Sequence, residues 1–268
     1  MKNITARNFN LKATIESGQV FRWEFVNGYY YIVVGDAILK LQQKGSKLFY
    51  ETSKPFDVRR YFCLDVPYAA IIRSISKDAY VKKAVAANYG LRLIRQPAWE
   101  CLASFICSSY SNIQRIRKNL NSIAEMFGRR ISLGNYETFS FPPPQKIVSS
   151  GLKKCGLGYR CSYLLETAEI VARNPKLLEN IKKLPYEQAK QQLMGLPGVG
   201  AKVADCVLLF AYGKTEAFPV DVWVKRAMKH YVSGSEKKIA EFARSYFGKY
   251  AGYAQQFLYH YFRKSSKP

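Results

Sequence analysis

The chain has 268 residues, 48% hydrophobic and 15% aromatic, enough to bury a core and too apolar for a disordered polypeptide. Lys and Arg number 42 against 19 Asp and Glu, a formal net charge of +23 that favours a polyanionic partner. A basic membrane-surface protein would need a cationic amphipathic segment or a lipidation signal, and neither is found. The N-terminus lacks an apolar core of signal-peptide length, and no apolar run approaches the ~18 residues of a membrane span. The expectation is a soluble intracellular protein, in the cytoplasm or nucleoid if the source is prokaryotic.

The first fifty residues read as a β-meander. Val20 to Val26 is rich in aromatics and valine, and Asn27-Gly28 is the strongest short hairpin signal. Tyr29 to Val34, Ala37 to Gln42 and Leu48 to Glu51 follow, separated by turns at Gly35-Asp36 and Lys44-Gly45. From Val58 the texture becomes helical. Trp99 to Tyr110 and Ile113 to Phe127 are the clearest stretches, with Ile113, Ile116, Leu120 and Ile123 recurring at three and four. Ser140 to Pro144 is a linker or a helix entry. Lys183 to Lys229 is helical around a Gly/Pro-rich loop, and Ala240 to Lys264 closes the chain as one or two helices. There is no internal repeat. The predicted architecture is α+β: a small N-terminal antiparallel-sheet domain over residues 1–95, packed on a mainly helical body over 96–268. A helix-hairpin-helix falls at 185–212.

Six cysteines, Cys63, Cys101, Cys107, Cys155, Cys161 and Cys206, sit in apolar or helical stretches and read as reduced thiols, several of them core. No C-x-x-C occurs, so a zinc site is not expected. Only His230 and His260 are available for histidine chemistry.

The most informative segment is Leu193-Met-Gly-Leu-Pro-Gly-Val-Gly-Ala-Lys-Val-Ala-Asp205. Ala189, Leu193 and Leu196 share one helical face, and Val203, Cys206, Val207 and Phe210 another. Pro197 to Gly200 can only be a tight hairpin. The second helix then opens with free N–H groups and the positive end of its dipole, an anion site suited to a DNA phosphate; an ordinary αα-corner fits the same pattern. Lys202 stands in that first turn, where the helix dipole and the net positive field disfavour the ammonium and favour a nucleophilic free amine. A solvated lysine touching phosphate as a point charge is the alternative. Nineteen residues later, Phe218-Pro-Val-Asp221-Val-Trp places a carboxylate on an apolar turn. It needs a partner, either as the N-cap of the helix that follows or in catalysis. The two roles are compatible, because a capped carboxylate stays ionised and fixed.

These motifs together resemble the helix-hairpin-helix, Gly/Pro-Asp superfamily of base-excision DNA glycosylases, and within it the 8-oxoguanine DNA glycosylases of eukaryotic type. Beyond the hairpin and Pro219-Val-Asp221, the matching blocks are Ser17 to Trp23, Arg92 to Pro97, Cys101 to Ser109, Gly156 to Arg160 and Tyr250 to Gln255. They occur in family order over roughly residues 15–260.

The resemblance implies a role for each matching position. Lys202 is the amine that displaces the base at C1′ and forms a Schiff base, and Asp221 stabilises the developing charge. The backbone carbonyl of Gly18 accepts the hydrogen on N7 of 8-oxoguanine, and Gln255 reads the Watson–Crick edge. Tyr259 stacks on one face of the base and Cys206 covers the other. Tyr159 wedges into the gap left by the flipped nucleotide, and Arg115 reads the opposite base. The hairpin residues Gly198, Gly200 and Val203 hold phosphate, with Trp223 nearby. Taken alone, Gly18 fits a strand bulge, Gln255 and Tyr259 a packed helix face, and Tyr159 turn packing.

Three departures stand out. Tyr110 and Ser111 replace asparagines, the first of which contacts the orphaned cytosine, so the basis for strict cytosine preference is removed. Trp223 replaces a histidine near the substrate phosphate. The chain is also shorter, with a compact loop between Ser233 and Lys237, which points to a bacterial or archaeal member. The implied partner is double-stranded DNA carrying oxidised guanine, bound by a monomer. The implied chemistry uses no organic cofactor. A cation at the hairpin is common in the family, but no residue here indicates one. The absence of any cysteine after Cys206 argues against the iron–sulfur branch of endonuclease III, and Lys202 argues against the alkylpurine enzymes. Another lesion specificity, or a non-catalytic helix-hairpin-helix DNA-binding module, remains as an alternative.

Overall fold

The computed structural model describes residues 1–265. Strand β1 (Lys2–Thr5) and the short helix α1 (Leu11–Ile15) precede β2 (Trp23–Val26), β3 (Tyr29–Val34), β4 (Ala37–Lys44) and β5 (Lys47–Thr52). All five strands form one sheet in the order β1-β5-β4-β3-β2, antiparallel throughout. The Asn27-Gly28 turn sets the β2–β3 register, pairing Val26 with Tyr29 and Trp23 with Ile32. Because side chains alternate across a strand, Leu39 and Leu41 are buried while Lys40 between them is partly exposed. The strand expected from Val20 begins only at Trp23. Before it, the Arg22 side chain leaves for the helical body, where its Nη1 lies 3.5 Å from the Glu100 carboxylate. Strand β1 has no counterpart in the sequence pattern: Lys2-Asn-Ile-Thr is too polar to signal itself, and its pairing with β5 makes it a strand.

The helical body begins with α2 (Val58–Tyr61), α3 (Tyr68–Ile75), α4 (Ala79–Ala87), α5 (Ala98–Cys107) and α6 (Ile113–Phe127). A small hairpin follows, β6 (Arg130–Leu133) with β7 (Tyr136–Phe139). The chain continues through α7 (Ser149–Leu152), α8 (Arg160–Arg173), α9 (Leu177–Lys183), α10 (Tyr186–Met194), α11 (Ala201–Phe210), α12 (Val222–Met228), α13 (Glu236–Phe247) and α14 (Ala251–Ser265). Helix α6 has the bounds its apolar spacing predicts, whereas the β6–β7 hairpin interrupts a region read as helical.

The fold is α+β with two apolar clusters. One lies on the sheet, with Ile32, Leu39, Leu41 and Leu48 against Phe62 and Ile94. The larger gathers the helices, including residues of α3, α4, α5, α11 and α14. Helix α11 is its axis, with every residue from Val203 to Phe210 buried. Glu100 fastens the two clusters together, because its second carboxylate oxygen accepts the Gly35 amide at 2.6 Å while the first faces Arg22. Around α11, the buried Asp205 accepts the Tyr186 hydroxyl at 2.6 Å and the Lys190 ammonium at 2.8 Å. Arg244 of α13 donates to the same tyrosine oxygen at 2.8 Å. Three helices are thereby pinned by one buried carboxylate whose lone pairs are used.

Candidate active site

Helices α10 and α11 enclose the hairpin that the sequence predicts. Gly198 adopts φ +74, a left-handed conformation that side chains resist. The first intrahelical bond of α11 runs from Ala204 N to Gly200 O at 2.9 Å, so the amides of Ala201, Lys202 and Val203 have no acceptor within the helix. Gly200 is exposed and faces open space. The Val203 side chain is buried, so any contact of this residue with an anion runs through its backbone amide. Within the hairpin, the Leu196 carbonyl accepts Val199 N at 3.1 Å and the Pro197 carbonyl accepts the Thr167 hydroxyl at 2.9 Å.

Lys202 is half-buried. Its Nζ donates to the Ser108 hydroxyl at 3.0 Å and lies 5.1 Å from the centre of the Phe105 ring. Both partners belong to the last turn and cap of α5, the negative end of that helix's dipole. The amine therefore meets two opposing helix ends, the positive start of its own α11 and the negative end of α5.

Asp221 is the N-cap of α12, accepting Val224 N at 2.8 Å. Burial raises its pKa above the ordinary carboxylate range, while the cap hydrogen bond and the charge of Lys202 pull the other way. The cap alone therefore does not secure the ionised form, as the sequence had suggested. No ion pair within 4.0 Å joins Lys202 and Asp221 among the described residues. They are neighbours across a gap. Cys206, one turn beyond Lys202, is buried and its thiol is pushed up to about 12 by burial, against the pull of Lys202. It is a neutral apolar wall at neutral pH.

The opposite wall comes from α14 and the segment before β2. Gly18 adopts φ +80, and a Cβ there would lie 3.0 Å from the Tyr259 hydroxyl. Tyr259 in turn lies within electrostatic reach of Asp221 and Cys206, which brings Gly18, Tyr259, Cys206, Asp221 and Lys202 into one neighbourhood. The Gly18 backbone is fixed from both sides. Gln256 Nε2 donates to Ser17 O at 3.0 Å. The Gln19 amide spans Ser17 Oγ at 2.9 Å, Arg92 O at 2.8 Å and Ile94 N at 2.9 Å. Gln255 is 5% exposed, and its Oε1 is buried without a hydrogen-bond partner. An unpaired amide oxygen is costly in a core and useful beside a ligand that can donate to it.

Three predicted residues lie apart from this neighbourhood, on the surface. Tyr110 is 97% exposed and holds φ +47. Tyr159, 56% exposed, stands immediately before α8, and Arg115 is exposed in the first turn of α6. Arg160 bridges two of these loops by donating from Nη1 to Ser109 O at 2.7 Å. Trp223 is half-buried beside the Asp221 cap, with the Arg226 guanidinium 5.0 Å from its ring centre.

Sequence reasoning missed Ser108, Gln256 and Arg263. Ser108 lies inside a block quoted for its resemblance, but nothing in its spacing ties it to Lys202. Arg263 could have been found, because it continues the four-residue spacing of Gln255 and Tyr259. Its guanidinium lies 5.3 Å from the Tyr259 ring centre and donates to Glu16 O.

Comparison with known proteins agrees with this geometry. Residues 1–102 match the N-terminal domain of 8-oxoguanine DNA glycosylase, and residues 103–249 match the HhH-GPD superfamily of base excision DNA repair proteins. A probable N-glycosylase/DNA lyase of Methanothermobacter thermautotrophicus is 34% identical over 216 residues, covering 70% of this chain and 69% of the relative. The 8-oxoguanine glycosylase/lyase of Clostridium acetobutylicum, solved with double-stranded DNA containing cytosine opposite 8-oxoguanine, superposes with a TM-score of 0.91 at 32% identity, covering 100% of this chain and 99% of that one. The 3-methyladenine DNA glycosylase of Archaeoglobus fulgidus shares the fold at a TM-score of 0.80 and 22% identity, with full coverage of both chains. The chain belongs to the HhH-GPD superfamily of base excision DNA repair proteins, and its N-terminal domain is that of the 8-oxoguanine DNA glycosylases.

Proposed function

We propose that this protein is a bifunctional DNA glycosylase/AP lyase that excises 8-oxoguanine from duplex DNA. The observation that carries the reading is the meeting of Lys202 and Asp221 with the Gly18–Gln255–Tyr259 wall: a nucleophile, a charge stabiliser and an amide with a free acceptor in one place. The target nucleotide has to leave the stack, because neither C1′ nor the base edge is accessible inside the duplex. The hairpin amides and the basic surface hold the backbone, while Tyr159 occupies the gap.

In the pocket the Gly18 carbonyl faces N7, which bears hydrogen in 8-oxoguanine and a lone pair in guanine. That difference is the discriminator. Gln255 accepts from the Watson–Crick edge, and Tyr259 and Cys206 enclose the ring. The Lys202 amine attacks C1′, the bond from C1′ to the base breaks, and the base departs with the electron pair. Opening of the sugar then gives an iminium on Lys202, and loss of a proton from C2′ eliminates the 3′ strand. The Asp221 carboxylate offsets positive charge developing on the sugar. This route requires no organic cofactor, and the enzyme acts as a monomer inside the cell.

Borohydride trapping on a duplex carrying 8-oxoguanine tests the assignment. A covalent adduct is expected with the wild-type protein and none with Lys202→Gln, which retains duplex binding. An adduct that survives Lys202→Gln would move the nucleophile elsewhere, and no adduct with wild type would leave a DNA-binding module.

A further inference from the structure

Ser108 touches the amine on which this chemistry depends, and no motif assigned it a role. Its hydroxyl donates to Phe105 O at 2.7 Å, which turns its lone pairs toward Lys202 Nζ, 3.0 Å away. The hydroxyl therefore accepts from the lysine and cannot donate to it in this arrangement. Ser108 is also the C-cap of α5, where its backbone amide meets Phe105 O and Ile106 O. The acceptor is thus anchored to a buried helix. Two residues further on, Tyr110 stands 97% exposed, and Arg160 holds the intervening Ser109 carbonyl. A lysine side chain has four rotatable bonds, and Ser108 supplies the one hydrogen bond to Nζ among the described residues.

We infer that Ser108 is a positioning residue for Lys202: it fixes the amine against the end of α5, pointed into the gap shared with Asp221. The inference rests on the glycosylase/lyase reading above. The groups around the amine are Cys101 and the Phe105 ring from α5, Cys206 from α11, Asp221 at the cap of α12 and, beyond these, Tyr259 from α14. Cys101 and Cys206 are buried thiols whose ionisation burial opposes, so Asp221 and the Ser108 oxygen are the polar groups that face the amine.

The experiment is single-turnover adduct formation on an 8-oxoguanine duplex, comparing wild type, Ser108→Ala, Ser108→Gly and Ser108→Thr. Removing the hydroxyl lowers the plateau rate about tenfold, the size of one hydrogen bond to a charged group, while the Kd for the duplex stays unchanged. Ser108→Thr restores the rate, because it returns the hydroxyl. A rate loss matched by a loss of duplex affinity, or a threonine variant that behaves like alanine, assigns Ser108 a structural role only and overturns the inference. Thermal melting of each variant separates loss of fold, and the glycine variant repeats the test in a second backbone context. Absence of any adduct with wild type overturns the functional reading itself, an outcome distinct from an unchanged Ser108→Ala rate.

Discussion

Tyr163 lies directly under Gly198: a Cβ on residue 198 would stand 2.6 Å from the Tyr163 Cβ and 3.0 Å from its Cγ. The hairpin of the helix-hairpin-helix therefore rests on a side chain of α8, and only a glycine lets the backbone come that close. Gly198→Ala combines a left-handed φ with a clash, a cost of about 2–4 kcal/mol. We expect the melting temperature to fall by about 5–15 °C and duplex affinity to fall with it, measured by a thermal scan and by fluorescence anisotropy. Unchanged melting would show that the hairpin can relax away from Tyr163.

Asp221→Asn separates charge from cap, because asparagine caps a helix as well as aspartate does. Excision is expected to drop at least a hundredfold, about what one preorganised electrostatic group contributes, with the fold intact. The stability effect has a definite sign. Burial raises the Asp221 pKa in the folded state, so its ionised form costs stability above that pKa. Asp221→Asn should be as stable as wild type or more so at pH 7, with the advantage shrinking as pH falls through the folded pKa toward the unfolded value. Melting curves at pH 7 and pH 4 check this.

Lys190→Met leaves the carboxylate of Asp205 buried beside Tyr186 without its cation. Breaking a buried pair in this way costs about 3 kcal/mol. Burial already pushes Asp205 up and Lys190 is the largest influence holding it down, so loss of the lysine raises it further. The destabilisation should therefore be greatest at pH 7 and ease in acid as Asp205 takes up a proton. Equal destabilisation at both pH values would mean that Arg244 takes the place of Lys190.

Tyr110 carries a side chain that touches solvent and a backbone that strains against it. Asparagine tolerates the left-handed region better. Tyr110→Asn should raise stability slightly, by up to about 1 kcal/mol, and introduce an amide where the opposite base is read. Excision on four duplexes pairing 8-oxoguanine with each normal base should show weak discrimination in wild type and stronger preference for cytosine in the variant. Strong cytosine preference in wild type would show that Tyr110 is not the deciding residue.

The α+β architecture, helix α6 and the hairpin were legible because they depend on local spacing: a period of two or 3.6, Asn-Gly turns, and Gly-Val-Gly between apolar faces. Residues that act through tertiary contact were not. The Lys202 amine lies at the end of α5, ninety-four residues earlier in the chain, so its own helix could not show the acceptor that it meets. Val203 was legible by contrast, because it shares the apolar face of Cys206, Val207 and Phe210, and its side chain is buried. Strand β1 exists only because β5 pairs with it. The roles proposed for Gly18, Gln255 and Tyr259 came from resemblance, and the structure supplies what sequence could not, namely their common neighbourhood.

The hydrogen bond from Gln256 to the carbonyl of Ser17 spans 239 positions of the chain. Its consequence is temporal. During synthesis the hairpin and Lys202 emerge before α14, so the neighbourhood of Gly18, Tyr259, Cys206, Asp221 and Lys202 is complete only when the final helix closes onto the first fifty residues. A truncation or proteolytic nick that removes α14 takes Gln255 and Tyr259 with it and leaves the Gly18 segment without its Gln256 contact.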